Sequence, residues 1–161
     1  MKRPAILALV AVILIALGVW WFSPTQVLKR KSLSLLSTLT MESGVGAVSR
    51  QAGAYSLNGL LAKEIELDTP TIKEANGTFE RSELESAYAW LSNQAKQTRF
   101  ELKDLKSITI NGNEAVVDLI LEGLVELPTY RPADGTYDVI FNWRKEEDGW
   151  RLYRATWTQA P

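Results

Sequence analysis

Residues 100–127 read FELKDLKSITINGNEAVVDLILEGLVEL. Apolar residues recur there at every second position, the period of a strand with one buried face. The stretch turns back on itself at Asn111-Gly112-Asn113, because Asn and Gly tolerate the positive φ of a hairpin turn. On the return strand, residues 114–127, Ala115, Val117, Leu119, Leu121, Gly123, Val125 and Leu127 share one face. Val116, Asp118, Ile120, Glu122 and Leu124 share the other. The first set is wholly apolar, so that face is expected on the core and the second toward water. Gly123 is expected to mark a bend or bulge in so long a strand.

Two more strands follow a loop at 128–135. Tyr137, Val139, Phe141 and Trp143 alternate with Asp138, Ile140, Asn142 and Arg144. After a turn at Glu147-Asp148-Gly149, Trp150, Leu152, Arg154, Thr156 and Thr158 alternate with Arg151, Tyr153, Ala155 and Trp157. Upstream the period is helical. A helix over 82–98 opens on the capping box Ser82-Glu83-Leu84-Glu85 and carries Leu84, Ala87, Tyr88, Leu91 and Ala95 on one face, with Lys96 and Arg99 at its end. A helix over 47–62, short or broken because of its glycines, carries Val48, Ala52, Tyr55 and Gly59 on a stripe, with Leu60 and Leu61 adding to the same side. A third begins at Ser23-Pro24-Thr25-Gln26, runs to about residue 41, and buries Leu28, Leu35, Leu36 and Leu39, with Lys29, Arg30 and Ser32 around the rest. A short strand is expected at 64–68, and a loop or second short strand at 72–77. The order is α+β: about three helices packed on a curved antiparallel sheet whose four long strands form a meander.

Ahead of this body, residues 5–22 (AILALVAVILIALGVWWF) form an uninterrupted apolar run of 18 residues, from Ala5 to Phe22. As a helix it spans about 27 Å, close to the hydrocarbon thickness of a bilayer. Trp20, Trp21 and Phe22 close it, Lys2 and Arg3 precede it, and Lys29-Arg30-Lys31 follow. Residues 1–23 are therefore expected to be a transmembrane signal anchor and 24–161 one domain. The rival reading is a cleaved signal peptide, since Ala16-Leu17-Gly18 offers small residues for cleavage. The short basic N-terminal tail favours a cytoplasmic N-terminus and an extracytoplasmic body.

The chain has no Cys and no His. That removes disulfides, Cys- or His-based metal sites and imidazole catalysis, and no metal or cofactor is expected. Residues 1–31 carry a net charge of +5 and residues 32–161 one of −6. An acidic body argues against nucleic-acid binding, which needs a basic face.

The segment 108–118, ITINGNEAVVD, resembles a Gly-Asp-x-Ala-Val hairpin of nuclear transport factor 2-like domains, and 143–153, WRKEEDGWRLY, resembles their final hairpin, where a Gly-Trp-Arg turn leads into the last strand. The capped helix from Ser82 takes the matching place in chain order. The resemblance covers roughly residues 25–159. It implies a cone fold shared by ketosteroid isomerase, SnoaL-like cyclases, scytalone dehydratase and many non-catalytic members, including anchored domains of type IV secretion systems. The motifs are structural, so they carry fold and not activity.

Candidate chemistry rests on four side chains. Asp118 and Glu122 lie two strand periods apart on one face, and would enter the cone if that face were concave. The alternative, which the apolar count favours, places them outside. Tyr55 and Tyr88 sit on helical stripes and would donate a hydrogen bond or fill the core. The leading expectation is a non-catalytic, membrane-anchored binding or assembly module. It would engage a protein partner or a second copy through the sheet face, or a small apolar ligand. The alternative is a lyase or isomerase using a carboxylate and a tyrosine in the cone.

Overall fold

The computed structural model describes residues 3–70 and 75–161, with backbone alone at 3–5 and 47. The elements are α1 (Arg3–Trp21), α2 (Pro24–Leu39), α3 (Ala47–Leu60), β1 (Leu61–Asp68), β2 (Gly77–Glu80), α4 (Arg81–Gln94), β3 (Gln97–Asn111), β4 (Glu114–Glu126), β5 (Ala133–Glu146) and β6 (Gly149–Gln159). Residues 72–74 of the segment expected as a loop or strand at 72–77, and Lys2 of the basic flank, lie outside the described residues.

The strands form one six-stranded sheet in the order β2-β1-β6-β5-β4-β3. The β3–β6 meander is antiparallel as expected, but the sheet as a whole is mixed, because β1 runs parallel to β6. β1 begins directly where α3 ends and is laid against the last strand. The β3–β4 turn is tight because Gly112 takes φ 60°, while Asn113 stays at negative φ.

The apolar face of β4 is the centre of the core. Val117 and Leu121 are fully buried, as are Val139 and Trp143 on β5, and Leu28, Leu35 and Leu36 of α2 pack with them. Gly123 does not mark a bulge in β4: its pairing with Phe100 and Gly135 stays in register. Its missing side chain makes room instead, since a Cβ there would lie 3.2 Å from Tyr137 and 3.4 Å from Phe100.

The bulges fall elsewhere. β3 gains an extra residue at Lys103 and again at Lys106. This edge strand therefore turns Leu102, Leu105 and Ile108 inward at a spacing of three and puts lysines at its irregularities, a combination that blunts an exposed edge. β6 has a third bulge at Tyr153, since Asn142 pairs with Arg154 but Trp143 with Leu152. The simple alternation expected along β6 thus breaks. Trp150 and Leu152 are inward, and beyond the bulge Ala155 and Trp157 are inward, not Arg154, Thr156 and Thr158.

The helices also depart from the sequence pattern. α2 starts with Pro24 in its first turn, but the Ser23 side chain makes no capping bond. Ser32, expected on the wet side, is buried. α3 is one continuous helix, and its expected stripe holds only at its end: Val48 and Tyr55 are exposed, while Leu60 and Leu61 are buried together with Leu57. α4 is capped two residues earlier than expected, with Glu80 in place of Ser82 as N-cap and its N–H donating to the Glu83 carboxylate at 2.7 Å. It stops at Gln94, so Lys96 and Arg99 belong to the next segment and strand, not to a helix end.

Among the described residues α1 meets the body at its junction with α2. Its apolar side chains are exposed all round, Leu7 at 70% and Ile15 at 66%, for example. Among the described residues no single helix is long and apolar enough to cross a membrane. One pair, Ile6–Trp21 and Pro24–Leu39, passes together by length and composition but is bent by 55°. The transmembrane helix expected at 5–22 is therefore not established by the fold. At the junction Arg30 donates to the Trp21 carbonyl at 2.9 Å and stacks over the Trp21 ring at 4.5 Å.

Candidate functional site

The concave face of the sheet and the helices enclose an apolar cavity of about 290 Å³. α2 supplies Leu35 and Leu39, α3 Leu57, and β1 Leu61, Ile65 and Leu67. α4 supplies Leu84, Ala87, Tyr88 and Leu91, and the sheet adds Phe141, Leu152, Ala155 and Trp157. The β6 bulge matters here, because it is what turns Ala155 and Trp157 into the cavity.

Among the described residues Tyr88, Thr69 and Trp157 bring the polar side-chain atoms to this lining, and the two hydroxyls are engaged. The Tyr88 hydroxyl donates to the Thr38 carbonyl at 2.9 Å, and the Thr69 hydroxyl donates to Asn76 Oδ1, also at 2.9 Å. Burial pushes the Tyr88 phenol above its usual range, and the nearby Arg50 partly opposes that. Among the described residues no Asp, Glu, Lys or Arg lines the cavity. Among the described residues such a lining offers apolar contact and shape, and its one ionisable group is the hydrogen-bonded Tyr88 phenol.

Beside it, between the end of α2, the start of α3 and the start of β3, lies an open polar groove of about 910 Å³. Arg50 is its fixed point. Its guanidinium donates to the carbonyls of Ser92 (3.0 Å), Ala95 (2.7 Å), Glu42 (2.9 Å) and Lys96 (3.1 Å). A cation on the last carbonyls of α4 complements the helix dipole and ends the helix where the β period begins.

The four residues singled out by sequence are not brought together. Asp118 and Glu122 lie on the outer face of β4. Glu122 pairs with Lys103, whose hydrogen bond holds its carboxyl below the usual range. Asp118 stands 4.0 Å from Lys106, which donates to Asp138 at 2.5 Å. Tyr55 is 88% exposed on α3. Tyr88 alone reaches the cavity. The outer face also shows Val116 and Ile140, 37% and 38% exposed among these ion pairs.

Sequence reasoning missed Gly53 and Arg50. Gly53 was legible only as a weak helix former, whereas its value is the space it leaves for the Tyr88 hydroxyl. Arg50 gave no signal, since its partners are backbone carbonyls distant in sequence.

No family model matches this chain, and no curated protein does. Solved structures do. A nuclear transport factor 2-like protein from Cytophaga hutchinsonii is similar with a TM-score of 0.65 at 18% identity, over 86% of this chain and 100% of its own. A protein of the same family from Streptomyces avermitilis, with a provisional dehydratase assignment, is similar at 0.59 and 14% identity, over 83% and 94%. The CaMKII hub of S. rosetta is similar at 0.55 and 13% identity, over 81% and 95%. The chain thus has the nuclear transport factor 2-like fold, α+β with helices packed on a curved mixed sheet. At these identities the likeness is one of fold, and the neighbours' differing descriptions assign no activity.

Proposed function

We propose that this protein is a membrane-anchored binding module whose extracytoplasmic cone holds a small apolar molecule without transforming it. The observation that carries the reading is the lining: about 290 Å³ bounded by aliphatic and aromatic side chains, with no ionisable group except a hydrogen-bonded phenol. A lyase or isomerase of the tyrosine-and-carboxylate kind needs an acid or base within hydrogen-bond reach of the ligand. Asp118 and Glu122 are on the other side of the sheet, so that alternative has no observation in its favour.

The anchor part of the reading rests on residues 5–22. They hold no charge, and from Ile6 onward most of their large apolar side chains stand more than half exposed. Such a surface needs a lipid or protein cover. The Arg30–Trp21 contact places a cation and an indole at the foot of that helix, a pairing suited to a headgroup layer.

The test uses the full-length protein purified from its membrane, extracted with solvent and analysed by mass spectrometry beside Leu91→Trp, whose larger side chain fills the cavity. A small apolar molecule enriched on the wild type and lost from the variant is the expected result. Equal recovery from both overturns the cavity reading. Separately, a reporter fused after Pro161 that works only outside the cytoplasm should be active, and one that works only inside should be silent. The reverse pattern overturns the location.

A further inference from the structure

The cavity and the groove share a wall. Tyr88 is the single residue among those described that lines both. Its ring is 5% exposed and closes the apolar side, while its hydroxyl passes through to the groove wall and donates to the Thr38 carbonyl at 2.9 Å. That passage exists because residue 53 is glycine. A Cβ there would stand 1.9 Å from the hydroxyl oxygen and 2.5 Å from the ring carbon that bears it, distances no side chain tolerates. Beside Tyr88 the partition is continued by Phe100, which faces the groove, and Trp157, which faces the cavity, packed edge to face at 5.7 Å.

We propose that Tyr88 is the end wall of the ligand cavity and sets the length of apolar chain it accepts, with Gly53 and Thr38 holding it in place. This rests on the reading of the cavity as a ligand site. The wall turns its ring to the ligand and its hydroxyl away, so the group that meets it is the uncharged alkyl or aryl end of the molecule. Any polar head remains at the mouth. A cavity of ~150 Å³ lined by Leu, Ile and Phe holds benzene, so the space here takes roughly a dozen carbon-sized atoms. A longer chain has to leave its head in solvent or displace the ring from both Thr38 and Gly53. Without the ring, the cavity opens into the groove.

The experiment uses full-length protein in lipid nanodiscs and a series of alkanols from octanol to octadecanol, each carrying a diazirine at its chain end. After irradiation, the labelled residues are located by mass spectrometry. In the wild type every chain length should label the cavity, at Leu84, Leu91 or Trp157, and none should label Ala52, Gly53 or Phe100. In Tyr88→Leu the longest probes should move at least half of their label to those groove residues, and in Tyr88→Phe, which keeps the ring, the label should stay in the cavity. Absence of cavity label in the wild type at every length defeats the underlying binding reading. Cavity label that never moves in Tyr88→Leu, or groove label already present in the wild type, overturns the wall while leaving that reading intact. The wild-type arm decides this even where a variant fails to fold.

Discussion

Strand β4 presents two chemistries at alternate residues. Val117, Leu119 and Leu121 are at most 1% exposed and face the helices. Asp118 and Glu122 between them face water and pair with Lys106 and Lys103 on β3. The ionisable residues stand out in the sequence, yet they sit on the side away from the cone. The cavity is built from leucines and aromatic residues that, one at a time, look like any core. In this fold the two carboxylates of β4 and the apolar cavity are on opposite faces of one sheet.

That contrast can be broken by substitution. Leu119→Ala removes a fully packed inner side chain and should cost about 2–5 kcal/mol in a denaturant melt. Losses equal to those of an outer-face substitution would show that the inner face is not the core. Leu91→Ala, on the cavity lining, should cost about 1 kcal/mol, roughly half of the ~1.5–3 expected for a fully buried leucine. Its side chain is only half-buried against a space that already exists. A loss matching Leu119→Ala would mean that the cavity is closed in solution.

Tyr88→Phe should cost about 1 kcal/mol, the net worth of one hydrogen bond. Tyr88 also gives a sign that pH can read. Its folded pKa lies above the usual 10.0, so its contribution is complete below pH 10.0 and is lost as pH rises through the folded value. Alkaline melts of wild type and Tyr88→Phe should therefore converge, and parallel curves would show that the phenol is not buried. Glu122→Gln should change least. Its pair with Lys103 is exposed, so midpoints at neutral pH should coincide within error. Its carboxyl is held below the usual 4.5, so the pair's contribution is present above that value and fades as pH falls through the folded one. A substantial loss at neutral pH would mean that the outer face is covered, as by a second copy or a partner.

The strands were legible because a period of two survives any tertiary arrangement that buries one face. Residues 114–121 show this: their alternation gives the inner set Ala115, Val117, Leu119 and Leu121 directly. The bulges were not legible, since an extra residue is tolerated wherever the partner strand can twist to meet it. One such residue, at Tyr153, reverses which of Arg154 and Ala155 looks inward. The α3 stripe failed short of its end for a related reason. Val48, Ala52, Tyr55 and Gly59 have the right spacing, but the face that docks is the one where Gly53 lets Tyr88 through and Leu57 meets the core.

The sequence by itself determined the α+β order, the apolar N-terminal run, the hairpin at Asn111-Gly112 and the burial of β4, all set by local period, turn chemistry and uncharged length. Tertiary structure alone decided the parallel pairing of β1 with β6, the bulges, the cavity and the position of Tyr88 between cavity and groove. These depend on residues far apart in the chain meeting in space. A side chain's spacing says which face it shares, but the volume left between faces is fixed only when all of them are packed.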